Sequence, residues 1–328
     1  MLLARVRRTI AERRLFPHDA RIVVACSGGP DSAVLLDVLV RLRAQLGLTL
    51  VAASVDHGLR EGAAADGEVA RVLAERLGVP FRALRVDVAR DAASLQASAR
   101  AARYAALLAL AREEGARFVA VGHTREDQAE TVLARLLRGA GIRGLAGIAP
   151  RRADGVVRPL YDCARAAVHA WAEREELPFV RDPSNDDPRF LRVRVRRDLL
   201  PRLVYEDPSA ARHLVALADE ARATSALVSR RARRALARSG ASLAGLAALD
   251  APTRGAALRA HLRAHGIVAA RAHLDALEQL VVSGRGEVRL PGGRLAVCGP
   301  DGDLTIRTAV PLQEREADPT LRDEAADS

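Results

Sequence analysis

Short apolar runs alternate with longer amphipathic stretches through residues 1–160. Residues 22–25, 50–55, 82–86 and 118–122 are runs of strand length, rich in valine and other apolar side chains. Between and after them, apolar positions recur at helical spacing, which predicts helices near 32–46, 64–77, 94–114 and 127–138. Strands separated by helices of this length form βαβ units and hence a parallel, doubly wound sheet. Ligands of such sheets bind beyond the carboxyl ends of the strands. Three polar groups fall at those ends: residues 27–32, Asp56-His57-Gly58, and Gly122-His123. A single site shared by all three is the expectation.

A break is predicted near Pro201 to Pro208, and the pattern beyond it is different. Leu214, Leu217, Ala221, Leu227 and Val228 give an apolar helix face, and Leu258, Leu262, Leu274, Leu277 and Leu280 suggest further helices. The period then drops to two in Val288 and Leu290, Leu295 and Val297, Leu304 and Ile306. Pro291-Gly292-Gly293 and Pro300-Asp301-Gly302 supply turns between these pairs, the signature of a small antiparallel meander. The expected fold class is therefore α/β, a doubly wound parallel sheet with a second, smaller, mainly helical domain ending in a short antiparallel meander. The corresponding segments are 1–205, 206–311, and an acidic, aperiodic tail at 312–328 that reads as disordered.

Composition narrows the class. A chain of 328 residues exceeds what one hydrophobic core usually serves, and 49% apolar residues indicate a packed, soluble protein. No stretch reaches membrane-span length and the N-terminus carries no signal-peptide core, so a cytoplasmic location without a membrane partner is expected. Cys26, Cys163 and Cys298 lie far apart and form no C-x-x-C pair, which disfavours a disulfide framework or structural zinc and fits a reducing compartment. The net charge is +10, and every basic residue is arginine, because the sequence contains no lysine. Arginine usage alone reflects composition, but an excess over acids favours a polyanion, most simply nucleic acid. The arginines also cluster, with Arg189, Arg192, Arg194, Arg196, Arg197 and Arg202 in one segment and Arg230, Arg231, Arg233 and Arg234 in another.

The densest candidate chemistry is Ser27, Gly28, Gly29, Pro30, Asp31 and Ser32, set between a strand and a helix. A strand that turns through glycines into a helix presents backbone N–H groups at the positive end of the helix dipole, an arrangement that binds phosphate. The loop lacks the Gly-Lys-Ser/Thr ending of a Walker A sequence and the G-x-G-x-x-G of dinucleotide folds. It resembles the Ser-Gly-Gly-x-Asp-Ser pyrophosphate loop of the ATP pyrophosphatases, which implies ATP as ligand. A carboxylate inside a phosphate loop repels its ligand unless a cation intervenes, so Asp31 suggests a magnesium ion shared with phosphate oxygens. It can also serve the helix N-terminus. Cys26 reads as a small buried residue ending the strand.

Other clusters are less specific. His57, followed by Gly58 and Arg60, fits a structural role as well as a ligand-binding one. Gln96, Arg100 and Arg103 share a helix face. Residues 122–131 end a strand and open a helix, with carboxylates at Glu126, Asp127 and Glu130. These complement the helix dipole, and opposite a phosphate loop they could also hold magnesium or orient an amine. A Gly-rich stretch at 136–145 adds Arg138 and Arg143. Arginines interleaved with Phe190 could grip phosphates while the ring stacks on a base, or could form a solvated basic helix. His261 and His265 lack the H-E-x-x-H pattern and read as surface residues.

Taken in order, residues 27–32, 55–60, 122–131, 136–148, Arg158-Pro159-Leu160 and Asp182-Pro183-Ser184-Asn185 resemble the tRNA(Ile)-lysidine synthetases, over residues 20–205. The resemblance implies an adenine-nucleotide α-hydrolase-like fold and a ligase that joins lysine to C2 of the wobble cytidine in the CAU anticodon of tRNA(Ile). The reaction would pass through an adenylated tRNA and release pyrophosphate and AMP. Asp31, His123, Asp127 and Glu130 would be catalytic. ATP would be held by Ser27, Gly28, Gly29, Pro30, Asp31 and Ser32 together with His57, Arg100 and Arg138. Arg189, Arg192, Arg194, Arg196 and Arg197 would meet tRNA. ATP as substrate, Mg2+ at Asp31, free L-lysine, tRNA(Ile) and a homodimer complete the implied partners. Two residues depart from the family pattern: Glu126 stands where an Asp is usual, and Val193 where an Asn commonly follows the arginine. The alternatives are a tRNA-thiolating relative, disfavoured by the absence of paired cysteines, and a non-catalytic tRNA-binding protein.

Overall fold

The computed structural model describes residues 1–56, 63–86, 95–180, 189–299 and 301–308, leaving aside the side chains of 63, 64 and 95–97. His57, Asp182-Pro183-Ser184-Asn185 and the 312–328 tail lie outside the described residues. By their contacts the residues divide into two compact units, Met1–Ala221 and Arg222–Ser328.

In the first unit β1 (Arg21–Ala25), β2 (Thr49–Asp56), β3 (Phe81–Arg85), β4 (Phe118–Ala120) and β5 (Val156–Val157) form a sheet in the order β3-β2-β1-β4-β5. Every pairing is parallel. The first four strands stand where the apolar runs predict them. The fifth is two residues long between Gly155 and Pro159, too short to leave a periodic signal. The strand order reverses between β1 and β4, which makes the crevice above those two strands the place for a ligand.

Helices cover both faces, which is why β1, β2 and β4 read as continuous apolar runs, whereas the edge strand β3 carries two arginines. Ile22, Val24, Ala52, Phe118 and Val157 pack into one core with α1 (Leu2–Glu12), α2 (Pro30–Leu46), α3 (Ala63–Arg76) and α7 (Arg165–Arg174). Val23, Val51, Val119 and Val156 pack on the other face against Tyr104, Leu107 and Leu110 of α4 (Leu95–Glu113). Helix α2 begins at Pro30, whose fixed φ suits a first helical position, and stops at Gly47 in the left-handed conformation (φ 65°). Its Leu35, Leu36 and Leu39 are fully buried, so truncating any one to Ala costs about 2–5 kcal/mol. Helix α7 is keyed to α2 by Trp171, whose Nε1–H donates to Asp37 Oδ2 at 2.8 Å.

Helix α5 (Arg125–Leu137) and the short α6 (Ile142–Leu145) follow β4. Further on, α8 (Leu191–Arg194), a π turn (Val195–Leu199) and α9 (Leu200–Glu206) make one continuous helical path. In the π turn the Leu200 N–H donates to the Val195 carbonyl, five residues back. The break expected between Pro201 and Pro208 falls at the Pro208 end of that interval. Pro201 is accommodated in the first turn of α9, and the path ends at Asp207, before Pro208. Val195, Leu200 and Ala211 pack on Ala129, Leu133 and Ala134 of α5.

The unit boundary falls inside α10 (Ala210–Ser239). In the second unit α11 (Leu243–Ala247), α12 (Ala251–Ala264) and α13 (Arg271–Ser283) enclose Leu246, Leu258, Leu262 and Leu277. Strands β6 (Glu287–Leu290), β7 (Arg294–Cys298) and β8 (Leu304–Thr308) form the predicted antiparallel meander. Among the described residues no helix is long and apolar enough to cross a membrane.

Candidate active site

The loop after β1 keeps its shape through its own backbone. Gly28 has φ +77°, and a Cβ there would stand 2.7 Å from the Asp66 carbonyl oxygen, so glycine is required twice over. Ser32 closes the turn: its hydroxyl donates to the Gly29 carbonyl at 2.8 Å and accepts from the Ser27 N–H at 3.1 Å and the Ser27 hydroxyl at 3.3 Å. The residue that caps α2 is Gly29, which leaves the first-turn N–H groups without intrahelical acceptors at the positive end of the helix. From outside the loop, the Val180 N–H donates to the Gly28 carbonyl at 2.8 Å. The turn after β4 lies directly against this structure, because a Cβ on Gly122 would come within 3.0 Å of the Asp31 carbonyl. Two of the three strand ends singled out by the sequence thus meet at the switch point.

Asp31 is the second residue of α2. Its Oδ1 is buried without a hydrogen bond and lies 3.3 Å from Nε2 of His169 on α7. An orphaned carboxylate oxygen beside a phosphate loop suits a magnesium ion that takes one carboxylate and completes its shell with phosphate and water. Among the described residues no group of three or more His, Cys, Asp or Glu side chains could hold a metal ion.

The opposite rim is built from charges. Asp127 Oδ2 accepts from the Thr124 N–H at 2.8 Å and the Thr124 hydroxyl at 2.9 Å, which caps α5. Its Oδ1 takes Arg192 at 2.7 Å and Arg165 at 3.0 Å. Glu130 is fully buried and accepts from Arg165 at 2.7 Å, from Arg196 at 2.8 and 3.0 Å, and from Arg192 at 3.2 Å. A buried carboxylate survives only when paired in this way. Burial pushes the Asp127 carboxyl up, but Arg165, Arg192 and the Thr124 N–H override it and hold the group well below the usual carboxylate range. Two carboxylates facing three guanidiniums leave the cluster net positive.

His123 lies between the two rims, with Nδ1 accepting from Arg158 Nε at 3.1 Å. Burial lowers its pKa, Asp127 opposes this, and Arg158, Arg100 and Arg192 reinforce it. The imidazole is therefore neutral, and the Arg158 bond assigns its proton to Nε2. Arg158 itself is buried just past β5 and also reaches the Ala149 carbonyl and, at 3.5 Å, the Tyr104 hydroxyl. Arg100 donates to the same hydroxyl at 3.3 Å, which brings it to the His123 side of the site. Gln128, fully buried, pins the glycine-rich stretch by accepting from the Ile148 N–H at 2.6 Å and donating to the Ala146 carbonyl at 3.3 Å.

The structure thus gathers residues 27–32, Arg100, His123, Asp127 and Glu130. It places others elsewhere. Arg138 is exposed beyond the C-terminal end of α5, about 20 Å of helix from Thr124. Arg192 and Arg196 turn inward onto the carboxylates, whereas Arg189, Arg194 and Arg197 are exposed. Glu126 faces α7: it accepts the Arg165 N–H at 2.7 Å and pairs with Arg125, a reach its extra methylene allows. Sequence reasoning missed Arg165 and His169, which stand four apart on α7 and both face the site; that spacing was the available signal.

The PP-loop domain family matches residues 3–203, and the TilS substrate binding domain matches 242–299. A tRNA(Ile)-lysidine synthase of Methylobacterium nodulans is 43% identical over 289 residues, 84% of each chain. The chain belongs to the tRNA(Ile)-lysidine synthase family. A lysidine synthase of Salinispora tropica is 39% identical over 92% of this chain and 96% of its own, and one of Geobacter sulfurreducens is 37% identical over 98% of this chain and 71% of its own. Among solved structures, the U34-tRNA thiolase NcsA of Methanococcus maripaludis, with its 4Fe-4S cluster, aligns with a TM-score of 0.59 over 67% of this chain and 76% of that one. At 20% identity that likeness is one of fold alone. In this member of the lysidine synthase family, burial pushes the Cys26 and Cys163 thiols up to about 12.

Proposed function

We propose that the chain forms lysidine on tRNA(Ile), consuming ATP and free lysine. Family membership supports the reaction, and one structural observation carries its location: the Gly28 turn and the Gly122 turn meet at the switch point of the sheet. In the first step O2 of the wobble cytosine attacks the α-phosphorus of ATP, and pyrophosphate leaves with the bridging oxygen. The N–H groups of the loop and the hydroxyls of Ser27 and Ser32 hold the departing pyrophosphate. Asp31 would hold Mg2+, which supplies charge screening at the phosphates when bound. The neutral His123 presents Nε2–H as a donor to phosphate or base oxygen.

In the second step the lysine ε-ammonium gives a proton to solvent, the free amine attacks C2, the C2–O bond breaks with its electrons leaving on AMP, and a second amine proton passes to solvent. Asp127 and Glu130 are the carboxylates of the opposite rim. To receive an ammonium they must exchange an arginine for it, and Arg192 and Arg196, on the half-exposed side, are the ones to give way. Positioning, rather than covalent participation by the protein, accounts for catalysis. An unpaired anticodon base can be splayed into the crevice at modest cost. The thiolation alternative is less supported, because a nucleophilic thiolate needs a lowered pKa and the buried thiols have the reverse.

Asp31→Asn tests the reading. Turnover should fall at least ~100-fold, the scale on which losing one electrostatic group acts, while tRNA binding survives. A variant that turns over like the wild type would remove the loop from the chemistry.

A further inference from the structure

Of the chain's five Phe, three Tyr and one Trp, only two are exposed, Phe190 at 42% and Tyr205 at 87%. They stand at the two ends of the helical path through α8, the π turn and α9. Between them Arg194, Arg197 and Arg202 are also exposed. The steps from Phe190 to Arg194, Arg197, Arg202 and Tyr205 are four, three, five and three residues. In an uninterrupted α-helix, at about 100° per residue, Arg202 would lie about 140° and Tyr205 about 80° around the axis from Arg197. That step coincides with the π turn, whose Leu200-to-Val195 bond spans five residues. The π turn therefore keeps aromatic and arginine side chains on one face over about 22 Å. At the Tyr205 end the face opens into a groove of 480 Å³ lined by Arg197, Asp198, Pro201, Arg202, Tyr205 and Glu206.

We infer that this stripe is a track for the RNA substrate, with Tyr205 and Phe190 stacking on unpaired bases and the arginines between them meeting phosphates. The inference rests on the proposed tRNA reading and adds a binding surface to it. An exposed ring costs apolar exposure that stacking on a base removes, and stacking is indifferent to base identity. The groove's Asp198 and Glu206 accept exocyclic amino groups, so a base rather than a second phosphate suits the Tyr205 end. The same helical path sends Arg192 and Arg196 inward to Asp127 and Glu130, so RNA on the outer face bears on the helix that holds the inner cluster.

The test is the affinity of the full-length protein for tRNA(Ile) bearing CAU, measured by fluorescence anisotropy across a salt series, alongside ATP affinity without tRNA. Tyr205→Ala should raise Kd about 5- to 150-fold, the range for one stacked base, without changing the salt slope. Tyr205→Trp should restore binding. Arg202→Gln should lower the magnitude of the salt slope by about 0.7–0.9, one phosphate contact. ATP affinity should be unchanged in all three. Wild-type Kd in Tyr205→Ala, or equal losses in Tyr205→Ala and Tyr205→Trp, overturns the inference while the wild-type protein still makes lysidine. A wild-type protein that binds no tRNA(Ile) overturns both this and the reading on which it rests.

Discussion

The two rims of the crevice are held by opposite means. The phosphate rim is backbone: a positive-φ glycine against Asp66, a serine hydroxyl tying its own loop shut, and a second glycine resting on Asp31. The opposite rim is side chains: Asp127 and Glu130 clasped by Arg165, Arg192 and Arg196 drawn from two other helices. A rim made of N–H groups keeps its shape and polarity at any pH and salt. A rim made of ion pairs depends on every charge being present, and it can exchange a partner. In the proposed reaction the first would hold pyrophosphate. In the proposed reaction the second would receive the lysine ammonium.

The sharpest way to break this contrast is Glu130→Gln. Three guanidiniums would then surround a neutral amide, and stability should fall by ~3–5 kcal/mol, read as a lower urea midpoint at unchanged slope. Adding Arg196→Met should recover part of that loss, since the pair is coupled. A Glu130→Gln protein as stable as the wild type would mean the clasp contributes nothing net.

Gly28→Ala attacks the other rim through backbone strain. The φ alone costs roughly 1–2 kcal/mol, and the Asp66 carbonyl must also move. Because the loop's shape is its function, ATP affinity should drop at least ~10-fold, about 1.4 kcal/mol, a change that isothermal titration would resolve. Neither effect should depend on salt.

A gentler probe is pH. Unfolded His123 takes a proton near its ordinary 6.5, but the folded group does so only at much lower pH. Below 6.5 the unfolded state therefore binds more protons, and stability falls as pH is lowered, by at most ~1.4 kcal/mol per pH unit. His123→Gln should flatten that slope. Asp127 acts in the same direction further down: its depressed pKa contributes stability that is full above the unfolded carboxylate value and lost as pH falls toward the folded one. The smallest expected effect is Cys26→Ala, which removes an inert buried thiol and should leave turnover within about twofold, with ~1 kcal/mol lost from packing. Loss of turnover there would revive sulfur chemistry.

The same division explains what the sequence could reveal. The loop, its strand and its helix are consecutive, so residues 27–32 announce themselves locally, as do the four longer strands and the terminal meander. The clasp joins Asp127 and Glu130 to Arg165, Arg192 and Arg196, and no spacing rule links positions so far apart in the chain. Hence the pairing of Arg192 and Arg196 with Asp127 and Glu130 was not legible in the sequence. Arg138, assigned to ATP by the resemblance, stands at the C-terminal end of α5, the end at which the predicted helix 127–138 already put it. The π turn before Pro201 leaves no mark in the apolar pattern, so the sequence placed the break only within Pro201 to Pro208.

The most direct test is to supply the purified protein with ATP, labelled lysine and tRNA(Ile) bearing CAU, using methionine tRNA with the same anticodon as the control. Pyrophosphate release that requires the isoleucine tRNA, with lysine recovered at the wobble base, is the predicted result. ATP consumption without lysine incorporation, or no consumption despite tRNA binding, would contradict the account.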